Sequence, residues 1–176
     1  MPEMPGIDEL ESCLVVAFSK LDLHVNAQDR TQRIMSAICE IGLARHYEVC
    51  CRNAPNATFG EWLYDMGWYD NEGDFMIDAP LALECEWTGF DLDSDFKKVL
   101  VARASHRVYI FKQPDETRAV NAIDMMIEQV KKFRHSVSGD RYLFFPVVKD
   151  RMLKPRLYVH LLGNWAISPN EVNPSA

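Results

Sequence analysis

The stretch Leu81-Ala82-Leu83-Glu84-Cys85-Glu86-Trp87 sets two carboxylates two residues apart in an apolar run. Side chains alternate faces along a strand. Leu81, Leu83, Cys85 and Trp87 would therefore share one face, with Glu84 and Glu86 on the other. Upstream, Trp62-Leu63-Tyr64-Asp65-Met66-Gly67-Trp68 is apolar on both faces, with Asp65 as its single charge. A lone carboxylate in a covered strand is costly unless it is paired or bound to a cation. A turn over Asn71-Glu72-Gly73-Asp74 would fold the two segments into a hairpin and bring Asp65 near the level of Glu84. Three carboxylates gathered in this way make a hard-oxygen site for Mg2+ or Mn2+, a class of ion that takes one or two protein carboxylates, waters and a substrate phosphate. Such an ion acidifies bound water and neutralises charge on a phosphoryl oxygen. The competing reading makes Glu84 and Glu86 the solvated face of an antiparallel strand, the common source of such alternation. Asp78 has the parity of Glu84 but lies ~20 Å away along an extended strand at ~3.3 Å per residue. Asp70 and Asp74 fall at the turn.

The elements that must position these residues follow from hydrophobic periodicity. Ile7, Leu10, Leu14 and Phe18 predict a helix over 7–20, and Ile34, Ile38, Ile41 and Leu43 a second over 28–46. Residues 47–51 read as a strand, 53–58 as a turn, 61–69 as a strand and 81–87 as another. Asp93 or Ser94 can cap a helix through Phe96, Val99, Leu100 and Arg103. A strand over 107–111 follows. Pro114 opens a long helix carrying Val120, Ile123, Ile127 and Val130, ended by Ser138-Gly139-Asp140. Strands over 142–148 and 157–162 complete one α/β domain spanning 1–176, ordered ααβββαβαββ, with frayed ends at about 1–6 and 165–176.

This order, with Asp65 and Glu84-Cys85-Glu86 in it, resembles the PD-(D/E)XK, or restriction-endonuclease-like, nuclease superfamily over roughly residues 28–112. That family has an αβββαβ core with an Asp on the second core strand and (D/E)-x-K on the third. Here Glu86 stands where the family usually has Lys, and Tyr64 replaces the usual Pro. The resemblance implies a mixed central sheet flanked by helices, extended by an N-terminal helix and by a C-terminal helix with two strands. It implies metal-dependent phosphodiester hydrolysis, with Mg2+ or Mn2+ held by Asp65, Glu84, the Cys85 backbone carbonyl and Glu86. In members lacking the motif Lys its function moves to the following helix, where Lys97 and Lys98 are available. Lys98, just before Val99-Leu100, is the better placed, so the implied catalytic set is Asp65, Glu84, Glu86 and Lys98. An exposed helix face is the plain alternative for both lysines. Glu40 resembles an additional acidic residue of some members, or is a solvent-facing helix residue. The missing motif Lys leaves open a catalytically inactive binding or assembly module.

Composition sets the frame. The chain has 176 residues, 48% hydrophobic and 26% charged, as expected for a globular protein in the cytoplasm, with neither a signal peptide nor a membrane span. The five cysteines, Cys13, Cys39, Cys50, Cys51 and Cys85, form no C-x-x-C pair, and the five histidines are scattered. A disulfide framework or a zinc site is not expected. The net charge of −7 is polarised: residues 1–96 carry 5 basic and 19 acidic residues, residues 97–156 carry 14 and 6. The basic segment 97–156 is the expected surface for nucleic acid, because phosphates need cations. Tyr109, Tyr142, Phe144 and Phe145 in it could stack on bases, though core roles suit them better. Alternatively the two halves attract one another, and an acidic inhibitor masking a basic partner also fits the charge. A homodimer is a further expected assembly. Gly-rich phosphate loops, G-x-S-x-G and H-E-x-x-H are absent from the sequence.

Overall fold

The computed structural model describes residues 7–52, 54–60, 62–88 and 92–161. The expected frayed ends, Asn53 of the expected turn, Glu61 at the start of an expected strand and Leu162 at the end of another lie outside them. The chain is α/β. Helices α1 (Glu9–Ser19) and α2 (Ala27–Ala44) precede strands β1 (Glu48–Cys51), β2 (Met66–Glu72) and β3 (Phe75–Glu86). Then come α3 (Leu92–Val101), β4 (His106–Gln113), α4 (Glu116–Lys132), β5 (Arg141–Val148), β6 (Arg151–Met152) and β7 (Arg156–Val159). The strands form one mixed sheet in the order β1-β2-β3-β4-β5, with β6 and β7 both on the outer edge of β5. β2 is antiparallel to β1 and β3, whereas β3, β4 and β5 run parallel.

Alternation along the strands divides the core into two layers. Leu81, Leu83, Val108, Ile110, Leu143 and Phe145 pack against Leu14 and Phe18 of α1 and Ile34, Met35 and Ile38 of α2. The opposite face sets Tyr109, Phe111, Tyr142 and Phe144 against Phe96 and Val99 of α3 and Ile123, Met126, Ile127 and Val130 of α4. These four aromatics and Phe145 are core groups, at most 1% exposed. Local signals set the helices. Asp8 and Glu11 form a capping box on α1, Asn26 caps α2 through the Asp29 N–H, and Asp115 caps α4 through the Arg118 N–H. Gly42 lets α2 lie directly on β2, since a Cβ there would come within 2.7 Å of the Trp68 ring.

Four boundaries differ from expectation. The strand expected over 61–69 starts at Met66, because Leu63 takes a left-handed φ of 64° and turns the chain. Asp65 therefore sits just outside β2. The hairpin is longer than expected: β2 runs on to Glu72 and β3 begins at Phe75, joined by a two-residue turn with Gly73 at φ 62°. Helix α4 stops at Lys132, before the Ser-Gly-Asp signal. The 150–155 connector holds β6, reached through Lys149 and Asp150 at φ 49° and 60°. That pair of left-handed residues is the geometry of a tight hairpin turn, formed here without glycine.

Candidate active site

Glu84 and Glu86 share the β3 face that looks toward α3 and α4, as alternation requires. This face is not solvated: Glu84 is 2% and Glu86 8% exposed. The strand is central, with β2 on one side and β4 on the other, and Glu84 lies beside Tyr109 in parallel register. The solvated-strand reading of the two glutamates does not hold.

The hairpin register brings Asp65 to this place. Met66 pairs with Leu83, so the residue before β2 meets the end of β3, and Asp65 Oδ2 accepts the Cys85 N–H at 2.9 Å. Its charge is felt by Glu84. Burial foremost, then the Asp65 carboxylate, push the Glu84 carboxyl up to about 7, against the attraction of Lys98. Lys98 Nζ is 3.2 Å from Glu84 Oε2 and 2.9 Å from Asp95 Oδ1. The Asp95 hydrogen bond, with Glu84 behind it, holds the Lys98 ammonium above its ordinary range despite partial burial. Glu84 Oε1 is buried and has no hydrogen-bond partner among the described residues.

The remaining sequence candidates separate from this pair. Glu86 Oε1 accepts from both the backbone N–H and the hydroxyl of Thr88. The carboxylates of Asp65, Glu84 and Glu86 are not all within 4.8 Å of one another. The Cys85 side chain points to the α2 face, and burial raises its thiol pKa well above normal. Lys97 is exposed and pairs with Asp93, which lies in the first turn of α3 rather than capping it. Glu40 is exposed on α2, the helix covering the other face of the sheet. Asp78 lies on the exposed hairpin, its Oδ1 accepting the Ala79 N–H.

Sequence reasoning missed Asp95, which shares Lys98 with Glu84; its signal was the i, i+3 spacing to that lysine on one helix face. It missed Arg107 too, buried at the start of β4. Arg107 bonds the Ala102 carbonyl at 3.0 Å and Asp140 at 3.1 Å and lies over the Tyr142 ring. Tyr64 belongs to this neighbourhood as well, its hydroxyl pKa raised by burial and by Glu84 and lowered by Arg107.

A second cluster lies elsewhere. Asp8, Glu11 and His106 form the one group of three metal-ligand side chains within 4.8 Å among the described residues. Its oxygens are already engaged. Arg141 grips Glu11 through Nε at 2.7 Å and Nη2 at 2.6 Å, and Asp8 Oδ2 lies 2.6 Å from His106 Nε2. Burial pushes the Asp8 carboxyl up, but the Glu11 N–H, His106 and Arg141 together hold it below its usual value. This cluster ties the start of α1 to the starts of β4 and β5.

No protein-family model matches the chain, and no curated protein or solved structure is found to be similar to it. Among the described residues, no helix is long and apolar enough to cross a membrane.

Proposed function

We propose that this chain is a metal-dependent phosphodiesterase acting on nucleic acid, with the restriction-endonuclease-like architecture. The observation that carries the reading is Glu84 Oε1, a buried carboxylate oxygen without a partner among the described residues, close to a second carboxylate, Asp65. An unsatisfied buried acceptor costs on the order of 1–3 kcal/mol, and more when charged, so its persistence asks for a ligand. A hard divalent cation fits the donor set of Asp65, Glu84 and the Cys85 carbonyl. The order α2-β1-β2-β3-α3-β4, with β4 parallel to β3, agrees with an αβββαβ core and supports the architecture.

When bound, the cation would acidify a water and draw charge from a phosphoryl oxygen. The chain's own residues do the rest. Asp65, just ahead of β2, and Glu84, on β3, would hold the cation between them. Lys98, in the last turn of α3, exchanges its contact with Glu84 for a phosphate oxygen and stabilises charge there. Glu86, braced by Thr88, orients the attacking water. Basic residues of 97–156 that face solvent, Arg103, Lys132 and Arg134 among them, contact the nucleic-acid backbone.

Calorimetric titration of Mn2+ and Mg2+ into wild type and Glu84→Gln tests this. Binding to wild type, lost or weakened at least tenfold in the variant, with metal-dependent cleavage of DNA or RNA by wild type alone, is the expected result. Equal binding by both proteins would remove the proposal. One observation favours a second reading, a binding module that has lost catalysis: the position of the motif Lys is Glu86, whose oxygen is taken up by Thr88. Metal binding without cleavage would select it.

A further inference from the structure

The polarised charge is not used up by the site. Residues 53–96 contain no Lys or Arg, and within them the tip of the β2–β3 hairpin is exposed throughout 71–78. β1 pairs with β2 only as far as Tyr69, and β4 pairs with β3 only from Leu81 onward. Beyond these points, and past Ala79 and Pro80, which Ser105 and His106 still hold, the hairpin continues as an exposed two-stranded ribbon over residues 71–78. Isolated ribbons are marginal in water, yet this one exposes Phe75 and Ile77 on one face and Met76 on the other, with Phe75 76% exposed. Asp70, Glu72, Asp74 and Asp78 flank them. Large apolar side chains exposed at one tip within a charged rim are the mark of a contact surface.

The matching surface lies on the same chain. A half-open groove of about 530 Å³ runs between α4 and the 151–156 segment, within the size range of pockets that engulf a ligand. Val120, Ile123, Met152 and Pro155 line it, with Arg151 and Arg156 at its rim. These arginines pair with Glu116 and Asp124 at 3.5 and 3.1 Å. Exposed pairs of this kind are weak and can be exchanged for the acids of the hairpin. The hairpin cannot reach its own groove. Its tip extends from the start of β3, whereas Pro146 of the groove lies toward the end of the parallel strand β5, so the two are at opposite ends of the sheet.

We infer that the Phe75-Met76-Ile77 tip of one copy docks in the α4/151–156 groove of a second, giving a head-to-tail assembly. The contact is heterologous, so it closes into a ring or extends as a chain. It is independent of any metal at Glu84.

Sedimentation velocity over a range of protein concentrations tests it. Wild type should exceed the mass of one chain, rise in mass with concentration and dissociate partly as salt rises. Ile77→Asp and Val120→Asp should each sediment as single chains. The first keeps an intact groove and the second an intact hairpin, so an equimolar mixture should form a two-chain species. Far-UV circular dichroism checks the folding of both; Phe75→Ser and Arg156→Glu replace either one that misfolds. A wild type of single-chain mass at every concentration would overturn the inference. So would a groove variant that still associates, which would mean that hairpins pair with each other, or a mixture that stays single-chain.

Discussion

Lys98 places one half-exposed ammonium between two carboxylates of unequal burial, Glu84 at 3.2 Å and Asp95 at 2.9 Å. Its attraction does not bring Glu84 back to an ordinary acidity. Burial, with the charge of Asp65 added, outweighs the cation, and Glu84 titrates near 7. The site is thus short of positive charge in the protein alone.

That shortage predicts how stability depends on pH. Unfolded Glu84 ionises near 4.5, whereas the folded group resists up to about 7. Below 4.5 it is protonated in both states and imposes no penalty. As pH rises from 4.5 through 7 the folded state is progressively penalised, by up to about 3 kcal/mol at 1.36 kcal/mol per unit. Glu84→Gln should melt with wild type at pH 4.5 and be more stable at pH 7.5 by on the order of 3 kcal/mol. Thermal melts across this window check it. Saturating Mn2+ should restore wild type relative to the variant, because a ligand of the native state alone stabilises it.

Asp65→Asn separates charge from architecture. The amide oxygen can still accept the Cys85 N–H, so the hairpin end stays in register. Loss of the like charge should lower the Glu84 pKa below about 7. A carboxyl-carbon NMR titration reads this shift directly. Divalent-metal affinity should fall in the same variant, since a hard anionic donor is gone.

The two neighbouring lysines offer an internal control. Lys98→Met removes the partner of a buried carboxylate, so above pH 7 it should destabilise by about 1–2 kcal/mol, less than a fully buried pair because Lys98 is half exposed. At pH 5 Glu84 holds its proton and the loss should shrink. Cleavage, on the reading proposed here, should fall at least a hundredfold. Lys97→Met breaks only an exposed pair with Asp93 and should change stability by less than about 0.5 kcal/mol. Urea melts at the two pH values, alongside a cleavage assay, distinguish them.

Much of this was legible because strand parity is a local property. Leu83 and Cys85 on one face and Glu84 and Glu86 on the other follow from alternation alone, and the Gly73 turn sets Asp65 against the end of β3. What was not legible depends on backbone conformations without a residue signature. Leu63 at φ 64° delays the start of the expected strand to Met66, and Lys149-Asp150 form a tight turn where glycine or asparagine would have announced one. The length of the hairpin was hidden for another reason. Residues 75–78 show no apolar–polar alternation, because neither face of that ribbon is covered. Nor could spacing show that Glu11 meets Arg141, 130 residues away.

That distant pair carries the last prediction. Glu11 is 1% exposed and is gripped through both oxygens by the Arg141 fork. Two-point geometry of this kind is the strong form of an ion pair. Removing one member leaves the other charge buried without compensation, so Arg141→Met should destabilise by about 3–5 kcal/mol. Part of that loss comes from stranding Glu11 rather than from the value of the pair itself. The double variant Glu11→Met/Arg141→Met should therefore recover most of it, ending within about 2 kcal/mol of wild type. Chemical denaturation of the single and double variants measures the coupling. Neither change should alter metal binding at Glu84, which lies on the other face of the sheet from α1. If Arg141→Met instead proved as stable as wild type, the N-terminal helix would not be tied to the sheet by this pair, and the assignment of the Asp8-Glu11-His106 cluster as a structural tether would fall.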